Sequence, residues 1–315
     1  MVMRISTSMI FDAGVSAINA QTAAMLHTQQ QLSTGRRILK PSDDPVDASR
    51  ALVISQSRDV AQQQSDNQKT TESMLKLEEN YLANADELLV RVRELAVQAG
   101  NTTWSASDRR TIAAEVRGRY DQLLGIANAQ DGNEYIFSGY KGDTEPFSGA
   151  LGSVGAQTFL GVGAEAVTYS GDDGQRKLQV APGRQLAVND AGSEVFYTSG
   201  GSSVFKVLAN FVSVLEGSGS GNGYSTDIAD IITGLDSSQE SVVNARSTVG
   251  TRMSELTSLS AIVEELILGY SKAISTIQDV DYAQAISSLE RQQTGLEAAQ
   301  KSFLRISQLS MFNYI

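Results

Sequence analysis

The fold is decided by residues 228–277, which read IADIITGLDSSQESVVNARSTVGTRMSELTSLSAIVEELILGYSKAISTI. Positions that step alternately by four and three residues along this stretch are apolar in twelve of fifteen cases. This spacing is the seam of a coiled coil, and it predicts one long helix over 226–278. The fifteen positions are Ile228, Ile232, Leu235, Gln239, Val242, Arg246, Val249, Met253, Leu256, Ser260, Val263, Ile267, Tyr270, Ile274 and Ile277.

A second long helix is predicted over 45–99, with a seam that faces the first. Its seam positions recur every seven residues, and all but Asn67 are apolar. A polar Asn at such a position either fixes the register of a coiled coil or faces solvent where the partner ends. Both interpretations of Asn67 stay open. The other members are Val46, Val53, Val60, Met74, Tyr81, Leu88 and Leu95.

Both ends of the chain carry similar apolar stripes. A lone amphipathic helix cannot bury its own stripe, so each end must pack against the other or against another molecule. We therefore predict an assembly interface, and the alternative that the two stripes pair only within one chain stays open. The predicted interface comprises Val15, Ile18, Met25 and Leu32 near the start, with Ile286, Leu289, Leu296, Phe303 and Ile306 near the end.

The segments between these helices contain helix caps and short strand-like runs. Gly35 is placed to end the first helix, and Ser42, Asp43 or Asp44 before Pro45 is placed to cap the second. Another helix follows Ser105 or Ser107 and makes a helical hairpin. Runs such as 134–140, 158–160, 167–169, 177–180 and 185–188 are typical of short strands between glycines. The last helix is expected to begin at a cap formed by Asp281.

The expected fold class is mainly α with a β-rich insertion (α+β), in which a long antiparallel coiled-coil rod is built from both halves of the chain. Three domains are predicted. The terminal assembly domain comprises 1–44 and 279–315, the helical rod comprises 45–130 and 202–278, and a β-rich outer domain is inserted over 131–201.

Composition excludes several classes of function. The 315 residues hold 25 Lys and Arg against 36 Asp and Glu, a net charge of −11, which argues against nucleic acid or an anionic membrane as partner. There is no Cys, and His27 is the only His, so catalytic triads and zinc sites lack their usual members. We expect no enzymatic activity, no cofactor, no metal and no membrane insertion. The first residues are not typical of a cleaved signal peptide.

Two glycine-containing segments are weak candidates for binding sites. Residues 170–174 read SGDDG, which lacks the further carboxylates of a calcium loop and favours a tight turn. Residues 217–223 read GSGSGNG, without the Lys and Ser or Thr that follow a phosphate-binding loop. We interpret that segment as a flexible loop.

Four short segments resemble one protein family. They are MRISTSMI at 3–10, QLSTGRR at 31–37 followed by PSDDP at 41–45, DGNEYIFSGYK at 131–141 and DVDY at 279–282. They are similar to the hook-associated protein 3 family of flagellar hook–filament junction proteins, which are bacterial relatives of flagellin. The segments 3–10 and 135–140 favour that family over flagellin itself. The chain's last seven residues, LSMFNYI, also differ from the ending usual in flagellins.

The resemblance implies a structural protein of the bacterial flagellum. It implies export through a flagellar type III apparatus, an extracellular location at the hook–filament junction, and a homo-oligomeric ring. The implied partners are the other hook-associated junction protein, flagellin, and an export chaperone on the C-terminal helix. The alternatives are a flagellin filament subunit and an adhesin-like binding module that uses the β insertion.

Overall fold

A computed structural model describes residues 7–101, 103–149, 151, 160, 166–198 and 200–312. At positions 7, 8, 10 and 306–312 it describes the helical backbone but not the side chains. The described chain is mainly helical. Its helices are α1 (Thr7–Thr34), α2 (Pro45–Ala99), α3 (Ala106–Ala127), α4 (Gly192–Val195), α5 (Val204–Leu215), α6 (Tyr224–Gln278) and α7 (Tyr282–Phe312).

The strands between α3 and α4 are short and form separate antiparallel pairs, not one sheet. β1 pairs with β2, β3 with β4, and β5 with β6. The strand expected at 158–160 lies mostly outside the described residues. The strands are β1 (Gln130–Asp131), β2 (Glu134–Tyr135), β3 (Phe147–Ser148), β4 (Thr168–Tyr169), β5 (Lys177–Ala181) and β6 (Arg184–Ala187). The mainly α fold with a small β part is confirmed.

The chain folds into two compact units. The terminal unit comprises Met1–Gln62 and Glu265–Ile315, and the central unit comprises Gln63–Glu264. Helices α2 and α6 contribute residues to both. The division into three domains, with an outer domain over 131–201, stays a prediction.

The core of the central unit is aromatic. The Phe147 ring packs against those of Phe196 and Phe205 at centroid distances of 5.4 and 5.3 Å, and the Tyr120 ring meets Phe205 edge-on at 5.5 Å. These four rings are buried, so α3, α5, β3 and the end of α4 share one hydrophobic core. Ser105 caps α3 as predicted, in a reciprocal capping box with Asp108.

The predicted seam of α6 is confirmed. Leu235, Val242, Val249, Leu256 and Val263 are buried at an interval of seven residues, and the positions between them are at least half-buried. Because apolar side chains fill most of this seam, its period and its register were both readable from the sequence.

The predicted seam of α2 is confirmed only in its second half, where Leu88 and Leu95 are buried and Asn67, Met74 and Tyr81 are half-buried. Val46, Val53 and Val60 are 69%, 61% and 53% exposed. The middle of the buried face of α2 lies one residue further along than the predicted seam and includes several polar side chains, which a search for apolar periodicity passes over. Its buried members are Ala61, Gln64, Gln68, Thr71, Leu75, Glu78, Leu82, Ala85, Leu89, Val92, Ala96 and Ala99.

Ion pairs show that α2 and α6 run antiparallel in the central unit. Arg246 of α6 binds both Glu79 (2.8 Å) and Asp86 (2.7 Å) of α2. Further along, Arg93 of α2 binds Asp236 of α6 at 2.5 Å. As the residue number rises on one helix, it falls on the other, so the expected antiparallel pairing is present.

The structure gives Asn67 a role that neither sequence interpretation included. Its Nδ2 donates to the backbone carbonyl of Gln179 at 2.9 Å, and Gln68 Nε2 donates to that of Val180 at 2.7 Å. Both carbonyls belong to β5. The two amides therefore hold the β5–β6 hairpin on α2.

Candidate assembly surface of the terminal unit

The turn after α1 joins the two halves of the chain. Gly35 ends α1 with a φ of +70°, a left-handed conformation that favours glycine, as its predicted role requires. Its carbonyl accepts from the Val280 amide at 2.9 Å, and the Arg37 amide donates to the Gln278 carbonyl at 2.7 Å. These two bonds hold the turn against the segment between α6 and α7.

The side chain of Arg37 clamps two helix ends. Its Nη2 donates to the Ile277 carbonyl at the C-terminal end of α6 (2.9 Å) and to Asp47 in the first turn of α2 (2.6 Å). Its Nη1 donates to Asp44 at 3.2 Å. A guanidinium suits this position because its several donors lie in one fixed plane. They reach the Ile277 carbonyl on one side and the carboxylates of Asp44 and Asp47 on the other.

Carboxylates cap the helices that follow the two turns, as predicted. Asp44 accepts from the Asp47 amide at 3.1 Å and begins α2, and Asp281 accepts from the amides of Ala283 and Gln284 and begins α7. The bond from the Asp47 amide and the Arg37 guanidinium lower the pKa of Asp44. Backbone amides of Lys40 and Leu39 lower the pKa of Asp43. These caps thus favour the ionised carboxylate.

Asp43 also lies beside the only histidine. His27 Nε2 is 3.4 Å from Asp43 Oδ2, with the imidazole partly exposed. His27 of α1 therefore contacts the turn that follows this helix.

Helices α1 and α7 pack against each other in antiparallel orientation. The Phe11 and Phe303 rings lie 4.8 Å apart, and Gln21 Nε2 donates to the Gln292 carbonyl at 3.1 Å. A Cβ on Gly14 would approach Phe303 to 2.8 Å. The stripes at the two ends of the chain thus meet within one chain.

The contact between α1 and α7 depends on small and polar residues that the apolar pattern did not reveal. Thr28 and Ala285 are the residues of these two helices that are buried among those described. Thr28 Oγ1 donates to the Ala24 carbonyl of its own helix at 3.1 Å, so its burial leaves no donor unpaired. Gly14 and Gly295 admit the Phe303 ring and the Gln21 side chain.

The predicted interface residues fall into three groups. Six are half-buried along the α1–α7 pair: Ile18, Met25, Leu32, Leu289, Leu296 and Phe303. Two face outward, since Val15 is 37% and Ile286 is 48% exposed. The side chain of Ile306 lies outside the described residues.

The terminal unit exposes many large apolar side chains. On α2, the side chains of Val46, Val53 and Val60 repeat every seven residues on one face, with Leu52 beside them. Isolated exposed apolar residues are common, whereas concentrations of them are typical of interaction surfaces. The exposed set in this unit comprises Met9, Phe11, Val15, Leu26, Val46, Leu52, Val53, Val60, Leu266, Leu268, Tyr282, Ile286 and Leu304.

The two glycine-containing segments serve local structure. Asp172 accepts from the amides of Tyr140 and Gly174, both at 2.8 Å, which agrees with a tight turn at 170–174. Asp227 of α6 accepts from the Ser220 amide at 3.0 Å and holds the loop at 217–223. Across the described residues, none of the helices is long and apolar enough to cross a lipid bilayer.

Comparison with known proteins agrees with this architecture. Residues 5–142 match the bacterial flagellin N-terminal helical region, and residues 232–315 match the bacterial flagellin C-terminal helical region. Together the matches cover more than half of the chain. They define its class as a flagellin-like structural protein of the bacterial flagellum.

The chain belongs to the hook-associated protein 3 family. It is 31% identical to flagellar hook-associated protein 3 of Salmonella typhimurium, over 98% of this chain and 99% of that protein. Flagellin of Bacillus subtilis is 28% identical over 45% of this chain and 48% of its own length. The crystal structure of hook-associated protein 3 from Legionella pneumophila is 20% identical and shares the fold, with a TM-score of 0.60 over 71% of this chain and 98% of that one.

These comparisons confirm the resemblance found in the sequence. The relatives are structural flagellar proteins, which agrees with the expectation that the chain is not an enzyme.

Proposed function

We propose that the chain is an adaptor at the hook–filament junction. In this proposal it is exported through the flagellar type III apparatus without a cleaved signal peptide. It then forms a homo-oligomeric ring between the other hook-associated junction protein and the flagellin filament. Family membership supports the junction role, because the Salmonella relative is named for its association with the hook.

One observation carries the proposed mode of assembly: the terminal unit leaves a large apolar surface open. A Val, Leu or Ile side chain contributes roughly 1.5–3 kcal/mol when it is fully buried. Covering even a few of the exposed residues with neighbouring subunits would therefore supply a substantial driving force for assembly. Association also has entropic costs, so only the surplus appears as affinity.

A deletion tests the junction role. Cells that lack this chain are expected to build hooks and to release flagellin monomers into the medium, because nothing joins the filament to the hook. Electron microscopy of the cells and immunoblotting of the medium measure both outcomes. Normal filaments on the deleted cells would contradict the proposal.

Purified protein distinguishes an adaptor from a flagellin subunit. We expect no long filaments from the chain alone, even with preformed filament seeds of the same chain. Long filaments seen by electron microscopy would favour the flagellin alternative.

A matched pair of substitutions tests the predicted interface. Ile286 in the terminal unit and Val243 in the central unit are exposed to a similar extent, 48% and 44%. Because neither is buried, Ile286→Asp and Val243→Asp should each change the monomer's free energy of unfolding by less than about 0.5 kcal/mol. Ile286→Asp should abolish filament attachment in complemented cells, whereas Val243→Asp should retain it. Equal effects would show that the terminal surface is not the specific interface.

The apolar stripe of the C-terminal helix α7, which includes Leu296 and Phe303, is proposed to bind an export chaperone. An amphipathic helix with an apolar face fits a hydrophobic groove. Leu296→Asp and Phe303→Asp should abolish chaperone binding in a pull-down and leave the central unit folded by circular dichroism. Ser302→Asp changes the exposed residue next to Phe303 and serves as the control. Unchanged binding by the first two variants would refute this site.

A further inference from the structure

The central unit contains a buried carboxyl group that the proposed assembly does not use. Glu78 lies in the buried stripe of α2, between the fully buried Leu75 and Leu82, and is itself fully buried. Its Oε1 accepts from the backbone amide of Asp190 at 2.8 Å. Its Oε2 is buried and has no hydrogen-bond partner among the described residues.

A second buried carboxyl group lies beside it. Asp190 precedes α4, and its Oδ1 accepts from Arg252 of α6 (2.7 Å) and from Gln175 (3.0 Å). Its Oδ2 is also buried and without a partner in the described part of the chain. Two carboxyl groups thus lie close together, and each has one oxygen that accepts no hydrogen bond.

The surrounding cations are bound to other carboxylates. Arg252 binds Asp190, and Arg176, which precedes β5, binds Glu134 of β2. On α2 itself, the neighbouring Glu79 is held by Arg246 of α6. No guanidinium among the described residues donates to Glu78. An ionised Glu78 would therefore be a buried charge that accepts one backbone amide and is otherwise stabilised only through space, by the charges of Arg252 and Arg176, which does not offset its burial.

A proton on Glu78 removes most of this cost. The neutral acid has no charge to desolvate, does not repel Asp190, and gains an O–H donor beside a carboxylate that has a free oxygen. Burial, followed by the charge of Asp190, raises the pKa of Glu78 to about 8.

We infer that Glu78 is a neutral carboxylic acid in the folded chain and that in this form it holds α2 against residues 189–195, the segment that contains α4. This contact weakens as the medium becomes alkaline. Its function is a pH-sensitive contact within the central unit. The inference is independent of the junction role, so either can fail alone.

The direction of the pH effect follows from proton linkage. The folded form holds the proton up to about pH 8, whereas the opened form releases it near the ordinary glutamate pKa of 4.5. Stability from this group is therefore fully present below about pH 4.5 and is lost as the pH rises through 8. Between these limits, the equilibrium constant for opening should rise up to about tenfold per pH unit.

A direct test is the titration of Glu78 in the full chain. Carbon-13 labelling of glutamate side chains allows each carboxyl group to be followed by NMR, and the signal missing from Glu78→Gln identifies Glu78. We expect its signal to stay at the protonated position at pH 6 and to shift near pH 8. A shift near pH 4–5, with the exposed glutamates, would overturn the inference.

Hydrogen exchange tests whether Glu78 holds residues 189–195 against α2. The amides of 189–195 are compared between wild type and Glu78→Gln at each pH from 5 to 8, so that the intrinsic pH dependence of exchange cancels. Like the neutral acid, glutamine offers a hydrogen-bond donor and an acceptor, but it cannot titrate. Opening of residues 189–195 in Glu78→Gln should therefore not depend on pH. We expect opening of the wild type to increase relative to this variant, by up to about tenfold per pH unit.

Glu79→Gln is the matched control, because Glu79 is the adjacent acid on α2 and is paired with Arg246. It should keep the pH dependence of the wild type. An identical pH dependence in wild type and Glu78→Gln would overturn the fastening role.

Discussion

The two units use similar long helices but close their apolar faces differently. In the central unit, large side chains such as Tyr120, Phe147 and Phe205 are fully buried. In the terminal unit, the hydrophobic residues that are fully buried among those described are alanines: Ala51, Ala61 and Ala285. The central unit therefore completes its own core, whereas the described large apolar side chains of the terminal unit are half-buried or exposed.

The difference arises from what packs on the helices. In the central unit, α5 is buried on nearly all sides and lies against α3, which gives the helices a further hydrophobic layer. In the terminal unit, α1 and α7 form a pair, and each leaves much of its circumference exposed. A helix pair alone cannot enclose its large side chains.

The largest expected effect comes from removing one aromatic ring from each unit. Phe205→Ala should lower the free energy of unfolding by about 3–5 kcal/mol, because it opens a cavity among three packed rings. Phe303→Ala should cost less, about 1.5–3 kcal/mol, because this ring is only half-buried and loses its contact with Phe11 together with part of its burial. Urea denaturation of the monomers measures both. Similar losses would remove the energetic distinction between the units.

Glycine substitutions should have opposite signs in the two units. Gly14→Ala places a Cβ 2.8 Å from Phe303 and should weaken the α1–α7 contact by about 1–3 kcal/mol, more than the gain in helix propensity. Gly125→Ala in α3 meets no atom within 4 Å and should stabilise the central unit by about 0.5–1 kcal/mol. Hydrogen exchange of α1 and thermal unfolding of the central unit report the two effects. Slower exchange of α1 in Gly14→Ala would contradict the tight packing.

The smallest expected effect is the loosening of the turn at 36–47 in acid. Its cap Asp44 has a pKa below the ordinary value of 3.8, through the bond from the Asp47 amide and the Arg37 guanidinium. A lowered pKa means that this stabilisation is present above pH 3.8 and is lost as the pH falls through the lower folded value. Amide exchange in this turn should therefore accelerate below about pH 4. Asp44→Asn cannot titrate and should lose this dependence at the Asp47 amide, whereas the dependence that Asp43 gives to the Leu39 and Lys40 amides should remain. Equal dependence of the Asp47 amide in both proteins would exclude Asp44 as its source.

Much of the fold was predictable because it depends on local signals. Gly35, Asp44, Ser105 and Asp281 mark helix ends through backbone chemistry that each residue type provides by itself. The seam of α6 was predictable because its buried positions are mostly apolar.

The remaining features depend on contacts between distant parts of the chain. The α2 stripe includes Gln68 and Glu78, whose burial is compensated by Val180 and Asp190, more than 100 residues away. The α1–α7 contact likewise uses Gly14, Thr28 and Gly295, which carry no apolar signal. Hydrophobic periodicity reports neither kind of contact, so the exposure of Val46, Val53 and Val60 on α2 was not resolved from sequence.

The pairing of Arg246 with Glu79 and Asp86 has a mechanical consequence. A seam that repeats every seven residues could slide by one repeat and still bury apolar side chains, so hydrophobic packing alone resists shear poorly. Such a slide would separate Arg246 from one of its two carboxylates and Arg93 from Asp236. The β5–β6 hairpin is bound both to Asn67 and Gln68 of α2 and, through Arg184, to Glu255 of α6, so the slide would also break one of these two attachments. These polar contacts therefore fix the register of the two helices, and the pair can resist a force along its length without sliding.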